Sequence, residues 1–331
     1  MDLRQTIFKA RNIKLPPLEA TAAGKDWSPL PWSAYFEASR SVSVSDTTFN
    51  VFASGLDNSG PIFLFHHGAG HSGLTFGLAS KHIFDSDPKS FTVVAPDFRG
   101  HGATTGEHQD DLSLDRLVDD LVGLFDALFP DNRRDVVAVG HSMGGAVAAH
   151  AVASRRIKNV LGLVLIDIVE GSAMDSLSAI PMFINARPQS FDSVENAVHW
   201  HIESDAIQNP ESARLSVPSL LSPTMLDGRQ VWTWRTQLLP TEKFWKRWYA
   251  GLSKTFASAP AAKLLILAGT DRLDKELLIA QMQGKFQLEL LPAAGHTIQE
   301  DMPDRVGDMI VSFWKRNQRL NIPVCRIAPQ T

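Results

Sequence analysis

Asp135-Val136-Val137-Ala138-Val139, then Gly140-His141-Ser142-Met143-Gly144-Gly145, then Ala146 to Ala153: this stretch decides the fold. Its first part is a continuous apolar run without alternation, the pattern of a strand buried on both faces. Its last part is a run of small, helix-compatible residues. Between them lies Gly-x-Ser-x-Gly, which chance alone would place in about one chain of this length in ten. The flanks give the pattern its weight. A strand-to-helix bend this tight leaves no room for side chains at 140 and 144. It also lifts the serine hydroxyl above the strand ends, beside a helix N-terminus where negative charge is stabilised. Ser142 therefore reads as a nucleophile.

Working outward, the same grammar repeats. Ile62 to Phe65, Phe91 to Ala95, Val160 to Ile166, Leu264 to Leu267 and Phe286 to Leu290 are short apolar runs. Ser41 to Asp46 and Thr48 to Ala53 alternate as half-exposed strands do. Ser113 to Phe129 carries apolar residues at helical spacing, with Ser113 as expected N-cap and Asp115 at the positive end of the helix dipole. Pro303 to Arg319 reads as a closing helix. Strands alternating with helices predict an α/β protein of the α/β-hydrolase fold, with a mostly parallel central sheet flanked by helices.

Between Gly171 and about Gly251 no strand-like run is apparent, and five of the eight tryptophans fall there: Trp200, Trp232, Trp234, Trp245 and Trp248. So long an insertion between sheet strands is no plain loop. It reads as a helical cap over the sheet. The expected organisation is an arm over 1–40, core over 41–170, cap over 171–251, core over 252–320 and a tail over 321–331. Trp27, Trp32, Tyr35 and Phe36 are read as aromatic anchors for the end of the arm.

Composition narrows the class. The chain has 331 residues, 44% of them hydrophobic and 21% charged, with a formal net charge of −4. That balance supplies no field for nucleic acid or an anionic membrane. Cys325 is the single cysteine, so an internal disulfide is impossible. The N-terminus lacks the apolar stretch of a secretory signal. The expected location is cytoplasmic or nuclear.

A serine hydroxyl needs a base. His296, in Leu291-Pro292-Ala293-Ala294-Gly295-His296, follows the final predicted strand and is the one histidine so placed. An oxyanion hole needs two backbone N–H donors: Met143, next after the nucleophile, and Ala69 in His67-Gly68-Ala69-Gly70. Two acids compete to orient the histidine. Asp271 follows the strand after the cap, and Asp167 ends the strand after the nucleophile's helix. Residue-level reasoning slightly favours Asp271. His199 and His201, and the group His66, His67 and His71, read as structural rather than as metal ligands. Asp97-Phe98-Arg99-Gly100-His101-Gly102 reads as a turn that fixes the loop beside the site. No metal or organic cofactor is expected.

Longer stretches are more specific. Ser28 to Phe36 (SPLPWSAYF), Ile166 to Asp175 (IDIVEGSAMD), Arg187-Pro188, Glu195-Asn196-Ala197, Ala268 to Asp274 and Gln281 to Phe286 together resemble the protein phosphatase methylesterases. The resemblance runs from about Trp27 to the last helix. It implies removal of the methyl ester from the C-terminal leucine of the protein phosphatase 2A catalytic subunit. It also implies that the triad acid is Asp167, in IDxVEG, which reverses the preference for Asp271. Some relatives carry a long charged insertion before the Trp232-Thr233-Trp234-Arg235 segment, whereas Leu226 to Arg229 here is short. Two other activities are compatible with the residues: a general small-molecule carboxylesterase, and a hydrolase-like scaffold that sequesters inactive phosphatase.

Overall fold

The computed structural model describes residues 26–269 and 273–318. The expected tail over 321–331, most of the expected arm, Cys325 and Asp271 lie outside them.

In chain order the core begins with β1 (Ala38–Val44), β2 (Thr47–Ser54), β3 (Ile62–His66), α1 (Gly77–Ser86), β4 (Thr92–Pro96) and the two-residue β5 (Thr105–Gly106). It continues with α2 (Leu114–Leu128), β6 (Val136–His141), α3 (Met143–Ala153) and β7 (Val160–Ile166). The insert carries α4 (Glu170–Ser176), α5 (Ile180–Ala186), β8 (Ser190–Phe191), α6 (Val194–Glu203), α7 (Pro210–Ser216), β9 (Leu221–Leu226), β10 (Arg229–Trp234), α8 (Glu242–Tyr249) and α9 (Leu252–Ser258). The core resumes with β11 (Ala262–Leu267), α10 (Lys275–Met282), β12 (Gln287–Leu290), α11 (Ile298–Asp301) and α12 (Pro303–Asn317).

The main sheet runs β1-β2-β4-β3-β6-β7-β11-β12, with β5 paired to β2. Strands from β4 onward along this order are parallel, and β1 and β2 close one edge antiparallel. Every residue of β3, β4 and β6 is buried, as their unbroken apolar composition requires. One face packs on α2, α3, α8 and α9, and the other on α1 and α12. All parallel strands end at the same edge, so the residues just past β3, β6, β7 and β12 meet there. Ser113 does occupy the N-cap position of α2, yet its hydroxyl makes no capping bond. Its N–H instead donates to Asp111 Oδ1 at 3.1 Å.

The insert corrects one expectation. It is not purely helical: β8, β10 and β9 form a separate three-stranded antiparallel sheet. The strands escape a periodicity reading because they barely serve a core. β9 buries only Leu221, and it carries Pro223, which an edge strand tolerates because no inner neighbour needs its N–H. The hairpin closes through Asp227 and Gly228, both at positive φ. Phe191, Trp200, Trp232 and Trp234 form the insert's own aromatic cluster, and Trp27 of the arm joins it. Trp245 and Trp248 belong to the main core instead, and Trp248 Nε1 donates to the Leu112 carbonyl at 2.7 Å. Tyr35 and Phe36 pack on the sheet, and Trp32, 36% exposed, sets its ring 5.9 Å from that of Phe52. Among the described residues no helix is long and apolar enough to cross a membrane.

Candidate active site

Ser142 sits between β6 and α3 with φ 52° and ψ −122°. A non-glycine residue holds such a conformation only where its surroundings dictate it. They do. The Ser142 N–H donates to the Ile166 carbonyl on β7 at 3.1 Å, and its own carbonyl accepts from Gly145 N–H at 2.9 Å. A Cβ at Gly140 would stand 2.3 Å from the Gly144 carbonyl oxygen, and one at Gly144 would stand 2.2 Å from that of His66. Both glycines are therefore steric necessities of the bend. The helix that follows starts at Met143, where backbone N–H groups have no intrahelical acceptor.

Asp167 follows β7 directly, also at positive φ (47°). Its N–H donates to the Ile266 carbonyl at 2.8 Å and its Oδ1 accepts from Ala268 N–H at 3.1 Å, so β11 holds it on one side. Its Oδ2 accepts from His296 Nδ1 at 2.8 Å. The carboxylate is sealed from solvent, while about half of the imidazole's surface is open (54% exposed). That asymmetry suits a base which must reach an incoming molecule while its orienting acid stays dry. Because Nδ1 donates to the carboxylate, Nε2 carries the lone pair. The competing Asp271 lies outside the described residues; the carboxylate joined to His296 here is that of Asp167.

The His296 loop is tied down from both ends. Leu291 N–H donates to Leu267 at 2.9 Å, and Gly295 N–H to Asp301 Oδ2 at 2.6 Å. The His296 carbonyl accepts from His141 Nε2 at 3.0 Å. His141 is the residue between glycine and serine in the bend, so one peptide step links the Ser142 bend to the His296 loop. Sequence reasoning gave that position no role. Any residue fits between the glycine and serine of the motif, so spacing alone carries no signal for it.

Ala69 lies in the loop after β3. Within that loop Gly70 N–H donates to His101 Nε2 at 2.8 Å and His71 N–H to the Gly68 carbonyl at 3.2 Å. The Ala69 N–H has no such acceptor among the described residues. A Cβ at Gly68 would stand 3.2 Å from the Ser142 Cβ, so this loop passes directly against Ser142.

The turn from Asp97 to Gly102 holds that loop in place. Asp97 Oδ1 accepts from Gly73 N–H at 2.8 Å, and its Oδ2 from Ala103 N–H and Asn50 at 2.9 Å each. His67 Nε2 accepts from Phe98 N–H at 2.9 Å, which leaves the proton on Nδ1, donated to the Gly68 carbonyl at 2.8 Å. Burial pulls His66 down to about 3 and His101 to about 4, so both are neutral supports. The His199 ring lies tilted against Trp27 at 5.0 Å, and His201 Nδ1 donates to the Ala197 carbonyl at 2.7 Å. Among the described residues no group of three or more His, Cys, Asp or Glu is arranged to hold a metal ion.

Two further side chains, outside every sequence motif, reach the site. Tyr249, at the end of α8, is buried beside the Ser142 hydroxyl, and burial pushes its phenol up to about 12. Glu300, on the short helix after His296, is fully buried with an oxygen 3.8 Å from His71 Nδ1. Burial pushes this carboxyl up to about 8. Neither lies in a motif, and both become visible only through packing between distant elements. A strained serine beside a helix N-terminus, a histidine backed by a dry carboxylate and two free backbone donors can carry out acyl transfer through a covalent intermediate.

Comparison with known proteins agrees with this chemistry. Residues 63–309 match the Alpha/beta hydrolase family. The chain is 38% identical over 337 residues to a Bos taurus protein named protein phosphatase methylesterase 1, with 89% of this chain and 88% of that one covered. It is 43% identical over 317 residues to the Aspergillus fumigatus protein of the same name, covering 91% of this chain and 75% of that one. Among solved structures, E-2-(acetamidomethylene)succinate hydrolase superposes with a TM-score of 0.67 at 22% identity, over 84% of this chain and 99% of that one.

Proposed function

Since this chain belongs to the protein phosphatase methylesterases, within the α/β hydrolases, and is a carboxylic ester hydrolase, we propose that it removes the methyl ester from the C-terminal leucine of the protein phosphatase 2A catalytic subunit, with Ser142, His296 and Asp167 as its triad. The observation that carries the triad is the 2.8 Å bond from His296 Nδ1 to the buried Asp167, which leaves Nε2 free as a base.

In this reading Ser142 Oγ attacks the ester carbonyl while His296 Nε2 takes its proton. The imidazolium is stabilised by Asp167. The oxyanion is held by the N–H groups of Met143 and Ala69. His296 then protonates the departing methoxide, the tetrahedral species collapses to an acyl-enzyme, and methanol leaves. Water enters, gives a proton to the same nitrogen and attacks the acyl carbon. Collapse returns the proton to Ser142 and frees the carboxylate of the tail. Residues 171–251 act as the cap over this site, and the arm over 1–40 helps hold the partner. In support, Trp27 packs on the insert while Tyr35 and Phe36 pack on the sheet.

Methanol release from a methylated phosphatase, set against hydrolysis of p-nitrophenyl acetate, tests the reading. A methylesterase is expected to favour the methylated tail strongly in kcat/KM, and Ser142→Ala to lose about 10⁴-fold or more on both. Preference for the small ester would instead mark a general carboxylesterase.

A further inference from the structure

Arg187 ends α5 and opens the Arg187-Pro188 pair, which no step above uses. Its guanidinium carbon stands 4.2 Å over the Trp234 ring. Trp234 Nε1 donates to the Pro188 carbonyl at 2.7 Å, so ring and loop fix each other. The Arg187 Nε is sealed from solvent and meets no acceptor. Among the described residues the guanidinium has neither a hydrogen bond nor an ion pair. Arg99 shows what a satisfied buried arginine looks like in this protein: it binds Asp120 at 2.7 and 2.9 Å and Asp46 at 3.1 Å.

Arg187 is half-buried, and a partly desolvated cation without a counter-charge carries a cost that is offset when an anion arrives. The position fits an arriving substrate. Trp234 lies 5.6 Å from His201, and His71 stands edge-on to His141 at 5.4 Å, which itself lies 4.8 Å from His296. The charge of Arg187 bears on His71 and His201, and His71 also senses His296. His71 thus feels both the base and the guanidinium, which puts Arg187 in the neighbourhood of His296. A methyl ester is uncharged, so the anion is not the reacting group of the substrate. The planar fork of arginine matches a carboxylate.

We propose that Arg187 is a carboxylate-binding residue of the substrate cleft, taking an acidic side chain upstream of the ester or the terminal carboxylate that hydrolysis frees. The proposal rests on the methylesterase reading. Hexapeptides ending in leucine methyl ester, with Asp walked through the five upstream positions and each compared with Asn, test the first source. The wild type is expected to prefer Asp at one position by roughly 10-fold to 100-fold in kcat/KM, and Arg187→Gln to bring that ratio to about one. The second source is tested by inhibition of p-nitrophenyl acetate hydrolysis by the free-acid peptide against its C-terminal amide. A preference for the acid that Arg187→Gln abolishes supports product binding. Each ratio is taken within one preparation, so loss of folded enzyme cancels. No preference in either assay, or a preference that survives Arg187→Gln, overturns the proposal. Failure to turn over any methyl ester while p-nitrophenyl acetate is hydrolysed sinks the methylesterase reading instead, and the inhibition assay still reports on Arg187.

Discussion

Ser142 and Asp167 hold positive φ at the edge of the main sheet, and Asp227 and Gly228 hold it at the tip of the insert's hairpin. The sign of φ is the same and the surroundings are opposite. Ser142 is fixed by bonds to β7 and within α3, and Asp167 by bonds to β11, with buried strands on either side. At Gly228 an added Cβ would meet nothing within 4 Å. Where packing determines the conformation from several sides, it aims a side chain. Where nothing surrounds it, it only reverses the chain. Substitutions at the two places should therefore differ both in size and in what they change.

The largest effect is expected at Asp167. Asp167→Asn keeps the shape but offers His296 the wrong hydrogen-bonding partner, and kcat should fall by about 10⁴. Steady-state turnover of a methylated peptide measures it. Asp271→Asn should leave kcat within a few-fold of wild type. The reverse result would move the acid to Asp271 and remove Asp167 from the comparison.

Gly144→Ala sharpens the contrast in sterics. The new methyl would meet the His66 carbonyl at 2.2 Å, and backbone does not swing aside as a flexible side chain does. Overpacking of this kind costs roughly 1–3 kcal/mol. Displacing the elbow by about 1 Å costs about 100-fold in turnover. Denaturant unfolding and kcat should both report the loss. A variant with full activity would show that the bend has slack.

This difference also decides what could be read from the chain. Ser142, His296, Met143 and Ala69 stood out because each belongs to a local demand: a bend that excludes side chains, a loop after a strand, a donor before a helix. The alternation of buried strands and helices was legible for the same reason, since every residue of β3, β4 and β6 faces a core. Asp167 and Asp271 could not be separated by local sequence, because both follow strand ends and only the three-dimensional register pairs one with His296. The hairpin of the insert was missed because its stability comes from Trp200, Trp234 and Phe191 packing across distant positions, not from alternation along β9. His141, Tyr249 and Glu300 were missed likewise: their roles are contacts between elements.

Glu300 lies between the two regions, against His71 of the core loop and near Ser216 of the insert. Its carboxyl, raised by burial to about 8 from 4.5, keeps its proton in the folded chain while the unfolded chain loses it. Between those two values folded Glu300 binds more protons than unfolded, so its contribution to stability falls as pH rises and levels off above about 8. The buried histidines act in the opposite sense. His66, His71, His101 and His201 are depressed below 6.5, so they weaken the fold as pH drops. Glu300→Gln removes only the first of these slopes. The melting temperature of the variant relative to wild type should climb from pH 5 to pH 8, by roughly 2–4 °C for each kcal/mol, and stay level beyond. A difference that does not vary with pH would mean that Glu300 binds its proton equally well in the folded and unfolded chain.

The smallest effect belongs to the hairpin. Gly228→Ala places a Cβ at φ 78° in open space, so nothing collides and the cost is that of a left-handed alanine, about 1 kcal/mol. The turn joins two strands in which only Leu221 and Val231 are buried, and it lies outside every contact that fixes Ser142, Asp167 or His296. Thermal unfolding should therefore shift by a few degrees at most, while kcat and KM for a methylated peptide stay at wild-type values. If KM rises instead, the tip of the hairpin takes part in holding the tail. In that event the insert's turn, like the core's, would be a conformation kept for what it positions.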